Sequence, residues 1–169
     1  MRILEAGVMI SFIATLAGQG TASADTIASC SGDSQGKAYY VHGGIVPKSK
    51  SGFVDDGTTG NKISLTLNKE QEWDILWVDA RQEIYSAKDS GGAVAFVGMG
   101  STGFSVSAVY DTADGLVTSI YSVSLNGSDQ WELGLMQTKQ TDLITKVGFE
   151  MLKCQSVDLD TMAKLYGID

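Results

Sequence analysis

The feature that most limits how this chain can fold is the shortness of its turns between residues 62 and 136. Apolar and polar residues alternate over segments such as 63–67 and 104–110, and polar or glycine-rich turns of about three to five residues separate these segments. Short connections join antiparallel neighbours, because a parallel crossover needs about a dozen residues or more. The spacing therefore predicts an antiparallel meander of about eight to nine strands.

A meander of that length would leave free edges and an uncovered face. We therefore expect it to close as a barrel or to fold into a two-layer sandwich. The segment Trp73-Asp74-Ile75-Leu76-Trp77-Val78 is apolar on both alternating faces, which is typical of a central strand with layers above and below it. The predicted fold class is all-β.

Two patterns mark the end of the chain. A last strand that runs into Cys154 is predicted over residues 147–151, where apolar residues alternate with Gly148 and Glu150. Its apolar members are Val147, Phe149 and Met151. Beyond it, apolar residues recur at helical spacing, which predicts a short C-terminal helix. These residues are Leu159, Met162, Ala163 and Tyr166.

The first part of the chain has the pattern of a signal peptide. Arg2 supplies a basic start, residues 6–17 are apolar, and Ala22-Ser23-Ala24 fits a cleavage site. The apolar run is too short to cross a membrane. Residues 1–24 are thus predicted to be a signal peptide, and residues 25–169 a single exported β domain, periplasmic or secreted.

Two cysteines, Cys30 and Cys154, lie near the two ends of the predicted mature domain. In an exported protein, an even pair without metal-ligand spacing indicates a disulfide bond. An alternative is that Ile27-Ala28-Ser29-Cys30 is a bacterial lipobox. Cys30 would then carry a lipid anchor and Cys154 would be free.

The charge of the chain excludes several classes of partner. The net charge is −8, and Arg81 is the only arginine after residue 24. Nucleic acids and anionic membrane surfaces require clustered positive charge, so neither is expected as a partner. No cofactor or metal site is predicted, because one histidine cannot complete a zinc cluster with two distant cysteines.

The aromatic residues allow a ligand cavity. A small β-barrel can enclose one apolar ligand, and its inward residues alternate along every strand. The first hypothesis is therefore a non-enzymatic binding protein that holds a small apolar or amphipathic ligand. The ligand-binding candidates are Trp73, Trp77, Tyr110, Tyr121 and Trp131. The alternative for each of them is that it simply fills the core.

A long irregular segment, residues 42–61, supports two other hypotheses. Loops of this length are often lids or binding loops, so the second hypothesis is a protein-interaction or inhibitor-like domain with an envelope protein as partner. The third is a hydrolase or metal-dependent enzyme using His42 with Asp55 or Asp56, although no Gly-x-Ser-x-Gly elbow is present. The loop candidates are His42, Lys48, Lys50, Asp55 and Asp56.

Several short motifs resemble a group of small exported proteins from alphaproteobacteria. They are Ala28-Ser29-Cys30-Ser31, Ala38-Tyr39-Tyr40, Lys50-Ser51-Gly52-Phe53 with Asp56-Gly57, Asp74-Ile75 with Asp79-Ala80, and the late Cys154. The function of that group is unknown. The resemblance implies export and a disulfide between the two ends of the domain, and it implies no catalytic residue.

Overall fold

The computed structural model describes residues 24–78, 82–112 and 115–167. The predicted signal peptide, residues 1–24, lies outside these ranges except for Ala24. The described chain consists mainly of β-strands, with a short 3-10 helix at Lys48–Lys50 and one α-helix. The strands are β1 (Asp25–Gly32), β2 (Gln35–Tyr40), β3 (Gly52–Asp55), β4 (Asn61–Leu67), β5 (Trp73–Val78), β6 (Ile84–Ser86), β7 (Ala93–Gly100), β8 (Gly103–Thr112), β9 (Gly115–Leu125), β10 (Trp131–Thr141) and β11 (Thr145–Val157), and the helix is α1 (Leu159–Tyr166).

The strands form one antiparallel sheet that curls into an open half-barrel. Across the sheet the order is β6-β5-β4-β1-β11-β10-β9-β8-β7, and β2 and β3 form a side branch on β11. The predicted all-β class, with antiparallel strands and a short C-terminal helix, is confirmed. The short turns have the expected effect from β4 to β6 and from β7 to β10, where neighbours in sequence pair. The short connection between β6 and β7 does not, because these two strands lie at opposite ends of the strand order.

The strand β1 lies between β4 and β11, and so joins the start of the domain to its end. Cys30 on β1 is paired directly with Cys154 on β11, and the two form a disulfide bond. The predicted disulfide is confirmed. The bond uses the thiol that a lipid anchor at Cys30 would need.

The sheet divides into two branches beside β11. β1 pairs with the C-terminal part of β11 and β2 with its N-terminal part, so the two strands continue each other along one edge. β4 and β3 continue this arrangement one strand further out. Where the two branches separate, Ser34 N donates a hydrogen bond to Thr58 O at 2.8 Å. Gly57 allows this close approach, since a Cβ there would lie 2.5 Å from the Ser34 carbonyl oxygen.

The helix α1 covers one end of the half-barrel. Met162 is fully buried there, and Trp73 Nε1 donates a hydrogen bond of 2.9 Å to the Tyr166 hydroxyl. The Tyr166 ring stacks on Phe96 at 4.1 Å, and Phe96 stacks on Trp73 at 5.8 Å. This aromatic packing brings β5 and β7, from opposite ends of the sheet, together beneath the helix. The helix begins where Asp158 accepts a hydrogen bond from Thr161 N and ends at Gly167, which adopts a left-handed conformation.

Candidate functional site

A cavity of about 380 Å³ lies inside the curl of the sheet, and we call it the inner cavity. It is enclosed by β4 and β5 on one side and by β8 to β11 on the other. Trp77 lines it, whereas Trp73, four residues earlier on the same strand, contacts α1. The inner cavity therefore lies towards the end of the half-barrel away from the helix. Its lining residues are Thr58, Asn61, Ile63, Trp77, Ser90, Tyr110, Val117, Tyr121, Leu135, Gln137 and Glu150.

The alternation of the strands gives the inner cavity apolar walls. Ile63 on β4 is paired with Trp77 on β5, and together they form one wall. Val117 on β9 and Leu135 on β10 contribute to the opposite wall. These residues point inward because each occupies the same face of its strand as buried core neighbours, such as Leu65, Val123 and Leu133. The walls suit the apolar part of a small molecule.

Tyr110 supplies an unpaired polar group at the inner cavity. The residue is only 8% exposed, and its hydroxyl has no hydrogen-bond partner among the described residues. Burial raises the pKa of the Tyr110 phenol, with smaller contributions from Tyr121 and Asp74. Tyr121 contributes to this shift through its charge and through an approach of the two hydroxyls that falls short of hydrogen-bond geometry. Buried hydroxyls are normally satisfied, so an unpaired one beside a cavity calls for a specific explanation, and a bound ligand is one.

Tyr121 and Gln137 add two more polar groups to the same space. Tyr121 is 5% exposed, and burial raises the pKa of its phenol. Gln137 lies on the next inward position of β10 after Leu135, and its Nε2 donates to the fully buried Ser119 Oγ at 3.3 Å. Both tyrosines therefore remain neutral hydrogen-bonding groups at neutral pH.

Glu150 contributes the carboxylate of the inner cavity. It lies on β11 opposite Leu135 and beside the division of the sheet. Its Oε2 accepts hydrogen bonds from Ser34 Oγ at 2.7 Å and from Thr58 Oγ1 at 3.3 Å. The two hydroxyls that hold Glu150 thus come from two loops, the one between β1 and β2 and the one between β3 and β4.

The structure brings together three of the five aromatic residues predicted to bind a ligand. Trp77, Tyr110 and Tyr121 line the inner cavity. Trp73 is instead in the core, where it contacts Phe96 and the helix. Trp131 is partly buried and packs against the core, away from the cavity lining.

The loop candidates do not form a common site. His42 Nδ1 lies 3.0 Å from the Val46 carbonyl oxygen, within its own loop. Lys48 and Lys50 are in the exposed 3-10 helix. Asp55 is exposed and lies 3.9 Å from Lys37 Nζ. The enzyme hypothesis requires an acid–base partner for His42. None of the described loop candidates is hydrogen-bonded to it.

Asp56 belongs to a separate lateral groove of about 460 Å³, lined in part by Tyr40, Val46 and Val54. Its carboxylate pairs with Lys146 Nζ at 2.7 Å and accepts a hydrogen bond from the Tyr40 hydroxyl at 3.0 Å. Burial acts to lower the pKa of Lys146, but the hydrogen-bonded Asp56 outweighs it and raises that pKa. The side chains of Asp56, Lys146 and Tyr40 therefore satisfy one another at the lateral groove, whereas the Tyr110 hydroxyl of the inner cavity has no partner among the described residues.

The sequence predictions named none of the polar lining residues Thr58, Asn61, Ser90, Gln137 and Glu150, nor Ser34, which hydrogen-bonds to Glu150. The apolar alternation of β11 alone suggests that Val147 and Phe149 point inward, but they are 53% and 45% exposed on the outer face. The inward face is set by Leu152, which is 2% exposed and has the same parity as Glu150. The sequence did contain a signal for this: Glu150 lies on the same face of the strand as Leu152 and the predicted disulfide cysteine Cys154.

Within residues 24–78, 82–112 and 115–167, no three His, Cys, Asp or Glu side chains are grouped so that they could hold a metal ion. Comparison of the chain with protein-family models, curated proteins and solved structures gives no match. The geometry of the inner cavity is therefore the basis for a functional proposal.

Proposed function

We propose that this protein is a non-enzymatic binding protein that holds a small amphipathic molecule in the inner cavity. The observation that carries the proposal is the Tyr110 hydroxyl, which is buried beside an apolar-walled cavity without a partner among the described residues. A ligand that engages this hydroxyl would remove the free-energy cost of leaving it unpaired. The cavity volume of about 380 Å³ is within the range of small-molecule sites.

The chemistry of the lining favours binding over catalysis. Burial raises the pKa of both Tyr110 and Tyr121, so neither phenol is disposed to act as a base at neutral pH. His42 is the only histidine of the chain, and it does not line the inner cavity. The polar groups present are suited to orienting a ligand within apolar walls.

We place this binding function in an exported protein of the periplasm or the medium. The Cys30–Cys154 disulfide is compatible with an oxidising compartment, where such bonds persist. Among the described helices, none has the length and apolar character needed to cross a membrane. The sequence pattern of residues 1–24 supports the same location.

A pair of adjacent substitutions on β9 tests the proposal. Val117 lines the inner cavity, whereas Leu116 is 43% exposed on the outer face of the same strand. Val117→Phe fills space in the cavity, so we expect it to weaken binding of the neutral probe N-phenyl-1-naphthylamine by about tenfold or more. Leu116→Phe adds a ring to the same strand outside the cavity and should leave binding unchanged.

The measurement is a fluorescence titration of the probe with each purified variant, after circular dichroism has shown that both are folded. Equal probe affinity in the wild-type protein and the two variants would show that the probe binds elsewhere. Absence of probe binding to the wild-type protein would count directly against a preformed ligand cavity.

A further inference from the structure

Glu150 is the one charged residue among the described residues that line the inner cavity. Its two hydrogen bonds come from neutral hydroxyls, those of Ser34 and Thr58, and both go to Oε2. No lysine, arginine or histidine lies within ion-pair distance of it in the described part of the chain. Among the described residues, the carboxylate therefore has neutral hydrogen-bond donors but no counter-charge.

The nearby lysines on the inner face of the sheet do not supply that counter-charge. Lys146 is four residues before Glu150 on β11, but its ammonium is paired with Asp56 at 2.7 Å. Lys139 is opposite Lys146 in the strand register and does not line the inner cavity. A half-buried carboxylate facing a largely apolar cavity gains most from a positively charged partner, because the attraction is poorly screened there.

Aromatic rings line the same cavity as the carboxylate. Trp77 and Tyr110 contact each other edge to face, with centroids 5.8 Å apart and planes at 85°. Tyr121 lies beside Leu135 in the strand register, and Leu135 lies beside Glu150. Ring faces attract ammonium groups through their electron density, so aromatic lining residues suit a cationic ligand.

We infer that the ligand of the inner cavity is a small organic cation, an amine with an apolar body, whose ammonium group pairs with Glu150. The unpaired Tyr110 hydroxyl and the rings of Trp77 and Tyr121 surround the polar end, and Ile63, Val117 and Leu135 receive the apolar body. An anionic ligand would be repelled by Glu150, and a neutral one would leave its charge without a counter-ion. This inference rests on the proposed binding function and adds the charge of the ligand.

The test compares three compounds with the same hydrocarbon chain: hexylammonium, hexan-1-ol and hexanoate. Isothermal titration calorimetry on the full mature protein at neutral pH should give the tightest binding for hexylammonium, by about tenfold or more over hexan-1-ol. Hexanoate should bind more weakly than the alcohol. This ranking by the wild-type protein tests the inference without any substitution.

Two substitutions then locate the charge. Glu150→Gln keeps an acceptor for Ser34 and Thr58 but removes the negative charge, so the preference for hexylammonium should fall to within about twofold of hexan-1-ol. Glu132→Gln makes the same charge change on the outer face of β10, since Glu132 alternates with the fully buried Leu133. It should leave the wild-type ranking intact.

The outcomes separate this inference from the proposed function. If hexan-1-ol and hexylammonium bind equally well, or hexanoate binds best, the cavity binds ligands but the cationic assignment is wrong. If Glu132→Gln lowers the preference as much as Glu150→Gln does, the preference reflects overall charge and the assignment to Glu150 is overturned. If none of the three compounds binds while N-phenyl-1-naphthylamine does, the cationic assignment fails and the binding function stands.

Discussion

The Tyr110 hydroxyl is buried on the inner face of β8 and has no partner among the described residues. Leaving a buried hydroxyl unpaired costs about 1–3 kcal/mol, so the unliganded molecule contains a local free-energy cost at the cavity. Tyr40 is a useful contrast, because its hydroxyl donates to Asp56 at 3.0 Å in the lateral groove. These two tyrosines differ in whether their hydroxyl is satisfied.

We expect Tyr110→Phe to raise the free energy of unfolding of the unliganded protein by about 1 kcal/mol, because it removes an unsatisfied polar atom and keeps the ring. Tyr40→Phe should instead lower it by about 1 kcal/mol, because it breaks a hydrogen bond to a charged group. Guanidinium denaturation of each variant measures both changes. A loss of stability in Tyr110→Phe comparable to that in Tyr40→Phe would mean that the Tyr110 hydroxyl has a partner after all.

Single residues of the site were predictable to different degrees. Trp77, Tyr110 and Tyr121 could be proposed as ligand contacts, because large aromatics on inward positions of a curled sheet face its interior. The same rule also selected Trp73 and Trp131, which do not line the cavity. Residue type alone does not distinguish a core position, such as that of Trp73 under α1, from a cavity position. Glu150 was not selected, since the apolar residues that alternate with it suggested the opposite face of β11.

At the scale of elements, β11 determines how the half-barrel is assembled. It pairs along one edge with β10 and along the other with both β1 and β2. The short turns predicted the hairpins from β7 to β10, because short connections favour pairing of sequence neighbours, but they did not reveal that β6 and β7 lie at opposite ends of the sheet. The position of β1 could not be predicted in that way, since it pairs with strands far away in sequence and is fixed by burial of Ile27, Ala28 and Cys30.

The disulfide between β1 and β11 closes a loop with a sequence separation of 124 residues. Loop-closure entropy for so long a loop corresponds to about 4–5 kcal/mol of stabilisation. We expect the double variant Cys30→Ala with Cys154→Ala to lose up to that amount of unfolding free energy. Denaturant titration in the presence and absence of a reductant measures the effect.

The double variant is its own control, because a reductant should change nothing in a chain without cysteines. In the wild-type protein, the reductant should shift the denaturation midpoint downward towards that of the double variant. A wild-type midpoint that is insensitive to full reduction would show that the bond does not stabilise the join between β1 and β11.

At the scale of the whole molecule, α1 closes one end of the half-barrel, and the inner cavity lies towards the other end. The helix and the stacked rings of Trp73, Phe96 and Tyr166 fill the closed end. The division of the sheet between the β1–β4 and β2–β3 branches places Ser34, Thr58 and Glu150 beside the inner cavity. The all-β class was evident from the alternation of apolar and polar residues. This division of the sheet depends on the β1–β2 and β3–β4 loops, which are distant in sequence and contact each other only in the folded molecule.

Methyl NMR tests most directly whether ligands enter the inner cavity. With methyl-labelled protein and N-phenyl-1-naphthylamine, we expect ring-current shifts at Ile63, Val117 and Leu135, which line the cavity. The methyl groups of Leu116 and Val147, exposed on the outer face, should not shift. Shifts confined to the outer-face methyl groups, or no shifts at saturating probe, would contradict the account.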